Sequence, residues 1–250
     1  MEFNFDSETN ITTAKTPSIK VRNEEAKLWI SDECTEICEW KLDGIPHNIK
    51  TEKGVISGNT IYNLRMLTLQ CSSLLKGETK TGCIVKVWTS KEKKDETYTC
   101  VRKYFILFVD QDNNPLHKIP LQLTARGCFQ LEFDRQLCKF RSVITKAYND
   151  KTAHMKNAWY NMCVFVSTFQ SMMRGEGAKQ RNACITTGYE TPTKDNCLSL
   201  CVGRRDDKFW PDADGTYVQH IYKLYCDTEK SCKAKGWWSS RFVVTNKCAK

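Results

Sequence analysis

Between Tyr104 and Tyr148 the order of apolar and polar residues changes period, and this stretch predicts the element around which the chain is organised. Tyr104–Val109 is an uninterrupted apolar run, followed by the polar cluster Asp110-Gln111-Asp112-Asn113-Asn114-Pro115. In Leu116–Thr124, Ile119, Leu121 and Leu123 then alternate with Lys118, Pro120 and Gln122. Strand, turn and second strand follow from that order, which makes a hairpin. Beyond Gly127 the apolar residues Phe129, Phe133, Leu137, Phe140, Ile144 and Ala147 recur three and four apart, the signature of one helix face. At about 100° per residue, Arg135, Lys139, Ser142 and Lys146 gather on the opposite side. One face is suited to a core and the other is basic.

The flanking segments are shorter and mostly β. Residues 1–20 are polar and predict a disordered tail, with order beginning near Ile19, so that 21–250 form a single domain. Lys27-Leu28-Trp29-Ile30 predicts a strand, and Ser31 an N-cap for a short helix carrying Cys34, Ile37 and Cys38. Further strands are expected at Val55-Ile56, at Ile61–Leu69 and at Cys83–Trp88, where Lys86 and Trp88 share a face. Lys91–Glu96 reads as a charged hairpin tip. The β-branched and aromatic run in Trp159–Met173 reads as a strand, the loop Arg174-Gly175-Glu176-Gly177 as its turn, and Lys179–Thr187 as the returning strand. Cys197–Val202 and Gly236–Asn246 are expected as strands and Tyr217–Tyr225 as a helix. The fold class is therefore α+β, mostly β: an antiparallel sheet, or a partly open barrel of the oligonucleotide-binding type, with one long amphipathic helix packed on it.

Composition narrows the partners more than the fold. Thirty-eight Lys and Arg against 29 Asp and Glu give a net charge of +9, which favours an anionic partner. No run of eighteen apolar residues is present, so no membrane-spanning helix and no membrane partner are expected. Met1–Lys20 lacks the apolar stretch of a secretory signal, so the 14 cysteines are expected as cytoplasmic, reduced thiols.

The segments FVDQDNNPLHKIPLQLTARG and WYNMCVFVSTFQ, the aromatic-rich helix between them, and WISDECTEICEW near the start resemble an uncharacterised family found in cyanobacteria and their mobile elements. The resemblance covers residues 19–205. It implies a shared domain type and an intracellular bacterial setting, and it supplies no activity.

Motifs for catalysis are weak. Cys34/Cys38 and Cys197/Cys201, with Cys226, Cys232 and Cys248, offer thiolates for zinc, but neither pair has knuckle spacing, and buried thiols explain them better. His47, His117, His154 and His220 are scattered. Gly175-Glu176-Gly177-Ala178-Lys179 lacks the ending of a phosphate loop and reads as a hairpin turn. Asp110/Asp112, Asp206/Asp207 and Asp212/Asp214 could hold a metal for a nuclease, yet each lies in a predicted turn. No catalytic residue, metal ligand or cofactor is assigned.

A mixture of cations and rings is the remaining signal. Lys86, Trp88, Arg102, Lys103, Tyr104, Lys118, Arg126, Arg135, Lys139 and Lys146 are the candidate nucleic-acid-binding residues, with cations for the backbone and rings for the bases. The expected function is non-enzymatic binding of single-stranded DNA or RNA in replication, recombination or a mobile-element system. Two alternatives stand beside it: a structural or adaptor subunit of a bacterial or phage assembly, self-associating or bound to a partner, and a metal-dependent nuclease.

Overall fold

The computed structural model describes residues 17–42, 44–52, 54–78, 84–87, 97–151 and 162–202. Strands β1 (Ser18–Arg22) and β2 (Lys27–Ser31) pair antiparallel, so Ser18–Lys20, expected in the tail, belong to the sheet. Ser31 caps α1 (Asp32–Ile37) as its sequence position predicts: its hydroxyl accepts the Cys34 amide at 3.3 Å, while Asp32 and Glu33 occupy the positive end of the helix. Short strands follow, β3 (Ile45–Pro46), β4 (Ile49–Thr51), β5 (Gly54–Ile56) and β6 (Gly58–Ile61). At Gly58 an added Cβ would lie 2.3 Å from the Ile30 carbonyl oxygen and 2.4 Å from the Trp29 ring, so only glycine lets β6 approach β2 this closely.

Ile61–Leu69, expected as one strand, is two. Asn63 divides it, donating to the Val109 carbonyl at 2.9 Å and accepting the Arg65 amide at 3.0 Å, and β7 begins at Arg65 and runs to Cys71. Next come β8 (Leu75–Glu78), β9 (Ile84–Val87) and the long central strand β10 (Tyr98–Phe108). The hairpin partner of β10 is β11 (Leu121–Arg126), later than the expected Leu116–Thr124. The delay comes from His117, whose Nε2 accepts the Phe108 amide at 3.0 Å while its Nδ1 bonds the Ile119 carbonyl at 2.8 Å. That imidazole takes the place of a ladder and leaves Ile119 exposed, while Leu121, Leu123 and Ala125 are buried.

After Gly127, which has the left-handed φ of +54°, α2 runs from Gly127 to Lys151. All six apolar residues of its predicted face, from Phe129 to Ala147, are buried. Strands β12 (Val164–Arg174) and β13 (Arg181–Tyr189) form the predicted long hairpin. Cys197–Val202 is a run of turns rather than a strand: the Cys197 and Leu200 amides donate to the Thr193 and Asn196 carbonyls, and only Cys201 makes a β-bridge, to Cys163. The expected elements at Lys91–Glu96, Tyr217–Tyr225 and Gly236–Asn246 lie outside the described residues.

The main sheet is eleven-stranded, in the order β13-β12-β7-β10-β11-β1-β2-β6-β3, with β8 beside β10 and β9 beside β8; β4 and β5 pair separately. It is mixed, because β1 runs parallel to β11. The large core lies between α2 and one sheet face, where Tyr104, Ile106 and Phe108 of β10 meet Phe129, Phe133 and Phe140. Alternate residues of the same strands, Leu67, Leu69, Leu107, Val109 and Val164, form a second cluster on the other face with Met162 and Val202. The sheet curls around α2 until its two flanks touch. Asn23, in the β1–β2 turn, accepts the Cys184 amide at 3.2 Å with its side chain and the Ser171 hydroxyl at 2.9 Å with its carbonyl. Among the described residues no ladder joins the flanks, and they form an open, curled, mostly β sheet around one helix and not a closed barrel.

If the aromatic face of α2 holds the fold, Phe140→Ala lowers the unfolding free energy by about 3–5 kcal/mol in a urea titration. Leu131→Ala, at a position 63% exposed on the same helix, changes it by no more than about 0.5 kcal/mol.

Candidate nucleic-acid interface

The candidate cations fall into groups with different local chemistry. On α2, Arg135, Lys139 and Lys146 are exposed, as their helical spacing predicts. Arg135 bonds Glu132 one turn earlier at 3.2 Å, whereas Lys139 and Lys146 have no ionic partner among the described residues. Arg126 is exposed at the start of the helix. Lys118 is exposed in the loop after β10 and pairs with Glu39 at 2.5 Å, so its charge is compensated. The backbone of Lys86 lies on β9 opposite Lys76 of β8; Trp88 lies outside the described residues.

Two candidates have other tasks. Tyr104 is fully buried, its ring edge-on to Phe133 with centroids 4.8 Å apart, and its hydroxyl donates to Asp134 of α2. It cannot serve as an exposed stacking platform. Burial raises its pKa well above the ordinary phenol value, and the neighbouring Asp134 charge acts in the same direction. Arg102, two residues earlier on the same face of β10, reaches the other Asp134 oxygen at 3.0 Å, and Gln130 donates to that oxygen at 2.5 Å. Burial works against the Arg102 charge, but Asp134 more than offsets it and the pKa is raised. This polar cluster fastens the helix to the central strand. Lys103, between the two, is half-buried on the opposite face of β10.

A further basic feature is not among the expected residues. The β12–β13 hairpin projects from the core as an arm whose outer part, Ser171–Ala178, is exposed. In its register Arg174 stands directly opposite Arg181, so the two cations share one face of the ladder. Both are exposed, and neither has an ionic partner among the described residues. Met172 and Met173 add exposed apolar surface beside them. The signal was present as Arg on either side of a Gly-rich turn, but only the register places the charges face to face.

Among the described residues no three His, Cys, Asp or Glu side chains are grouped to hold a metal ion. Asp110 organises its turn instead, one carboxylate oxygen accepting the amides of Asp112 at 2.9 Å and Asn114 at 2.7 Å. Arg65 closes over that turn, donating to the Asp110 carbonyl and the Asn113 side chain, and Asn113 in turn donates to the Ser199 carbonyl at 2.7 Å. Cys34 and Cys38 are buried beneath α1, and burial pushes the Cys38 thiol up to about 11. The 175–179 segment is the arm's turn. His154, His220, the pairs Asp206/Asp207 and Asp212/Asp214, and Cys226, Cys232 and Cys248 lie outside the described residues. No described helix is long and apolar enough to cross a membrane.

These features define a mostly β α+β protein with exposed basic positions on one helix and one projecting hairpin. The chain belongs to the family described as Domain of unknown function (DUF5895), which matches residues 18–211. It is also similar to a protein named "Uncharacterized protein 254L" from Invertebrate iridescent virus 6, with 39% identity over 282 residues that cover 94% of this chain and 79% of the relative. No solved structure matches. The implied membership of a family without assigned activity therefore holds, while the cyanobacterial source is no part of these matches.

Burial also makes a pH dependence. His117 is held at a pKa of about 4 by burial, despite its bond to the Ile119 carbonyl, against an ordinary value of 6.5. The unfolded chain thus takes up this proton first as pH falls, so the stabilisation is complete above about pH 6.5 and is lost toward pH 4. Denaturation at pH 6.5 and 5 should show a loss approaching about 1.4 kcal/mol per pH unit, and His117→Gln, which does not titrate in that window, should flatten the curve.

Proposed function

We propose that the protein binds single-stranded nucleic acid without catalysis, in replication, recombination or a mobile-element system, whether of cyanobacteria or of a virus like the one that encodes its relative. The observation that carries this reading is the Arg174–Arg181 pair. Like charges directly opposite on an exposed ladder repel, and a polyanion laid along the arm removes the repulsion by neutralising both. Ser171–Tyr189 contains Arg174, Lys179 and Arg181 against the single acid Glu176, which leaves the arm cationic. Lys139 and Lys146 on α2 supply a second group of charges without an ionic partner among the described residues, and Met172 and Met173 offer polarisable surface to bases. Tyr104 drops out of the binding set and Arg102 is committed to Asp134.

A second reading, a structural or adaptor subunit, rests on a different surface. The apolar run Met162–Phe165 offers it no surface, since those residues are buried. In its place Ile45, Val55 and Ile56 are exposed on the short strands β3 and β5. For the third reading, a metal-dependent nuclease, Asp110 offers no support, because turn geometry occupies it.

Fluorescence anisotropy with short single-stranded DNA and RNA at about 50 and about 200 mM salt should give binding that weakens steeply with salt. Arg174→Ala/Arg181→Ala should weaken it about tenfold or more and reduce the salt slope by about 1.4. Absence of binding at the lower salt for both polymers would refute the proposal. Light scattering separates the second reading: it requires oligomers that Ile45→Ser/Val55→Ser disperse, and a strict wild-type monomer counts against self-association.

A further inference from the structure

Cys163 and Cys201 are the only isolated cross-strand cysteine bridge among the described residues, and their geometry goes beyond ordinary thiol packing. The Val164 amide donates to the Leu200 carbonyl at 2.6 Å and the Val202 amide to the Met162 carbonyl at 2.9 Å. Hydrogen bonds on both sides of the pair and none between its members define a non-hydrogen-bonded antiparallel site, the site with the closer Cα and Cβ approach. That spacing suits a disulfide, and the two sulfurs already stand 3.3 Å apart. A small rotation about the Cα–Cβ bonds would bring them to bonding distance without moving the ladder.

A third thiol is close enough to compete and is turned elsewhere. Cys197 directs its sulfur toward the Ala147 carbonyl at 3.8 Å and the Lys194 carbonyl at 3.6 Å, at the far end of α2 and within its own turn. Cys34, Cys38 and Cys184 are buried in other parts of the core.

We propose that Cys163 and Cys201 form an intramolecular disulfide when the protein meets a low-molecular-weight disulfide oxidant, stapling the Thr193–Val202 turns to the root of the β12–β13 arm. One cysteine, as thiolate, attacks a sulfur of the small disulfide and releases one small thiol. The second thiolate then attacks the protein sulfur of the mixed disulfide and releases the other. The two cysteines lose two electrons and two protons, and the oxidant takes them up as two thiols.

Access to the pair is gated by the fold. Both cysteines are buried, and burial with the neighbouring Cys201 raises the Cys163 thiol well above its ordinary pKa, although the nearby Arg141 opposes the rise. Exchange in the folded protein therefore proceeds through opening of the Thr193–Val202 turns, and the bond, once made, is shielded from reductant. The staple closes a loop between positions 38 apart in sequence, so it restrains the unfolded chain appreciably.

The test uses the full reduced chain, incubated with oxidised glutathione both in the folded state and during refolding from urea, then alkylated and digested without reduction. Mass spectrometry should recover a Cys163–Cys201 cross-linked peptide pair, in the wild type and in Cys197→Ser. The oxidised wild type should melt roughly 5–10 °C above the reduced form, and Cys201→Ala, shown to be folded by circular dichroism, should show no such rise. Recovery of both cysteines alkylated or glutathionylated under both regimes, or of either one bonded to a different cysteine, overturns the proposal.

Discussion

The aromatic face of α2 has to be covered, and a flat sheet beneath one helix cannot cover it. Phe129 meets Phe169 edge-on with centroids 5.6 Å apart, Phe133 meets both Tyr104 and Phe165, and Phe140 meets Phe165 and Tyr189. Those partners come from β10, β12 and the end of β13, so the sheet must bend to bring them to one helix. Strand twist supplies bending in the right sense, and each buried ring contributes stabilisation in proportion to the apolar area it loses to the core. The clasp of Asn23 on Cys184 and Ser171 is a consequence: flanks distant in strand order meet because the sheet curls around the buried face of the helix between them.

A helix held this way could still slide along its axis, because apolar contacts discriminate poorly between neighbouring registers. The bonds of Asp134 are directional. One carboxylate that accepts from Tyr104, Arg102 and Gln130 fixes which turn of α2 lies over which residue pair of β10. The His117 imidazole does the same for the hairpin loop, holding Phe108 and Ile119 together where no ladder exists, while Trp40 stacks on Phe108 at 5.2 Å and lies against His117 at 4.9 Å. Each buried polar group is expensive to leave unbonded, and that expense is what makes the position specific.

What could be read from sequence was whatever depends on one segment's own period. The α2 core face, the Ser31 cap and the arm's two strands all follow from local pattern, and all are present. The errors share a cause as well. Met66–Gln70 are buried on both faces of a central strand, so alternation carries no information there, and the break at Asn63 depends on Val109, far away in sequence. Leu116–Pro120 was read as the start of the Leu116–Thr124 strand because nothing local reports that His117 would replace the ladder there. Cys197–Val202 alternates like a strand, yet its turns bury Cys197 and Cys201 together just as well, since both periods place these two residues on one side. Candidate site residues were legible by charge and type only. Their pairing, Arg102 with Asp134 or Lys118 with Glu39, joins distant segments and became visible only with the fold.

The same division bears on function. Acids near the core are consumed by structure: Asp134 neutralises Arg102, Glu132 pairs with Arg135, and Asp110 organises its turn. Lys139 and Lys146 on the helix and Arg174 and Arg181 on the arm are cations with no such partner among the described residues. Stability gives no reason for the last two to stand opposite each other, because the pairing costs energy in the isolated protein. The core needs neither the outer half of the hairpin nor its charges, since burial along β12 and β13 fades toward their shared turn. The tip of the arm, exposed and carrying a repulsive pair that an anion would relieve, fits the proposed nucleic-acid contact better than a role in supporting the core.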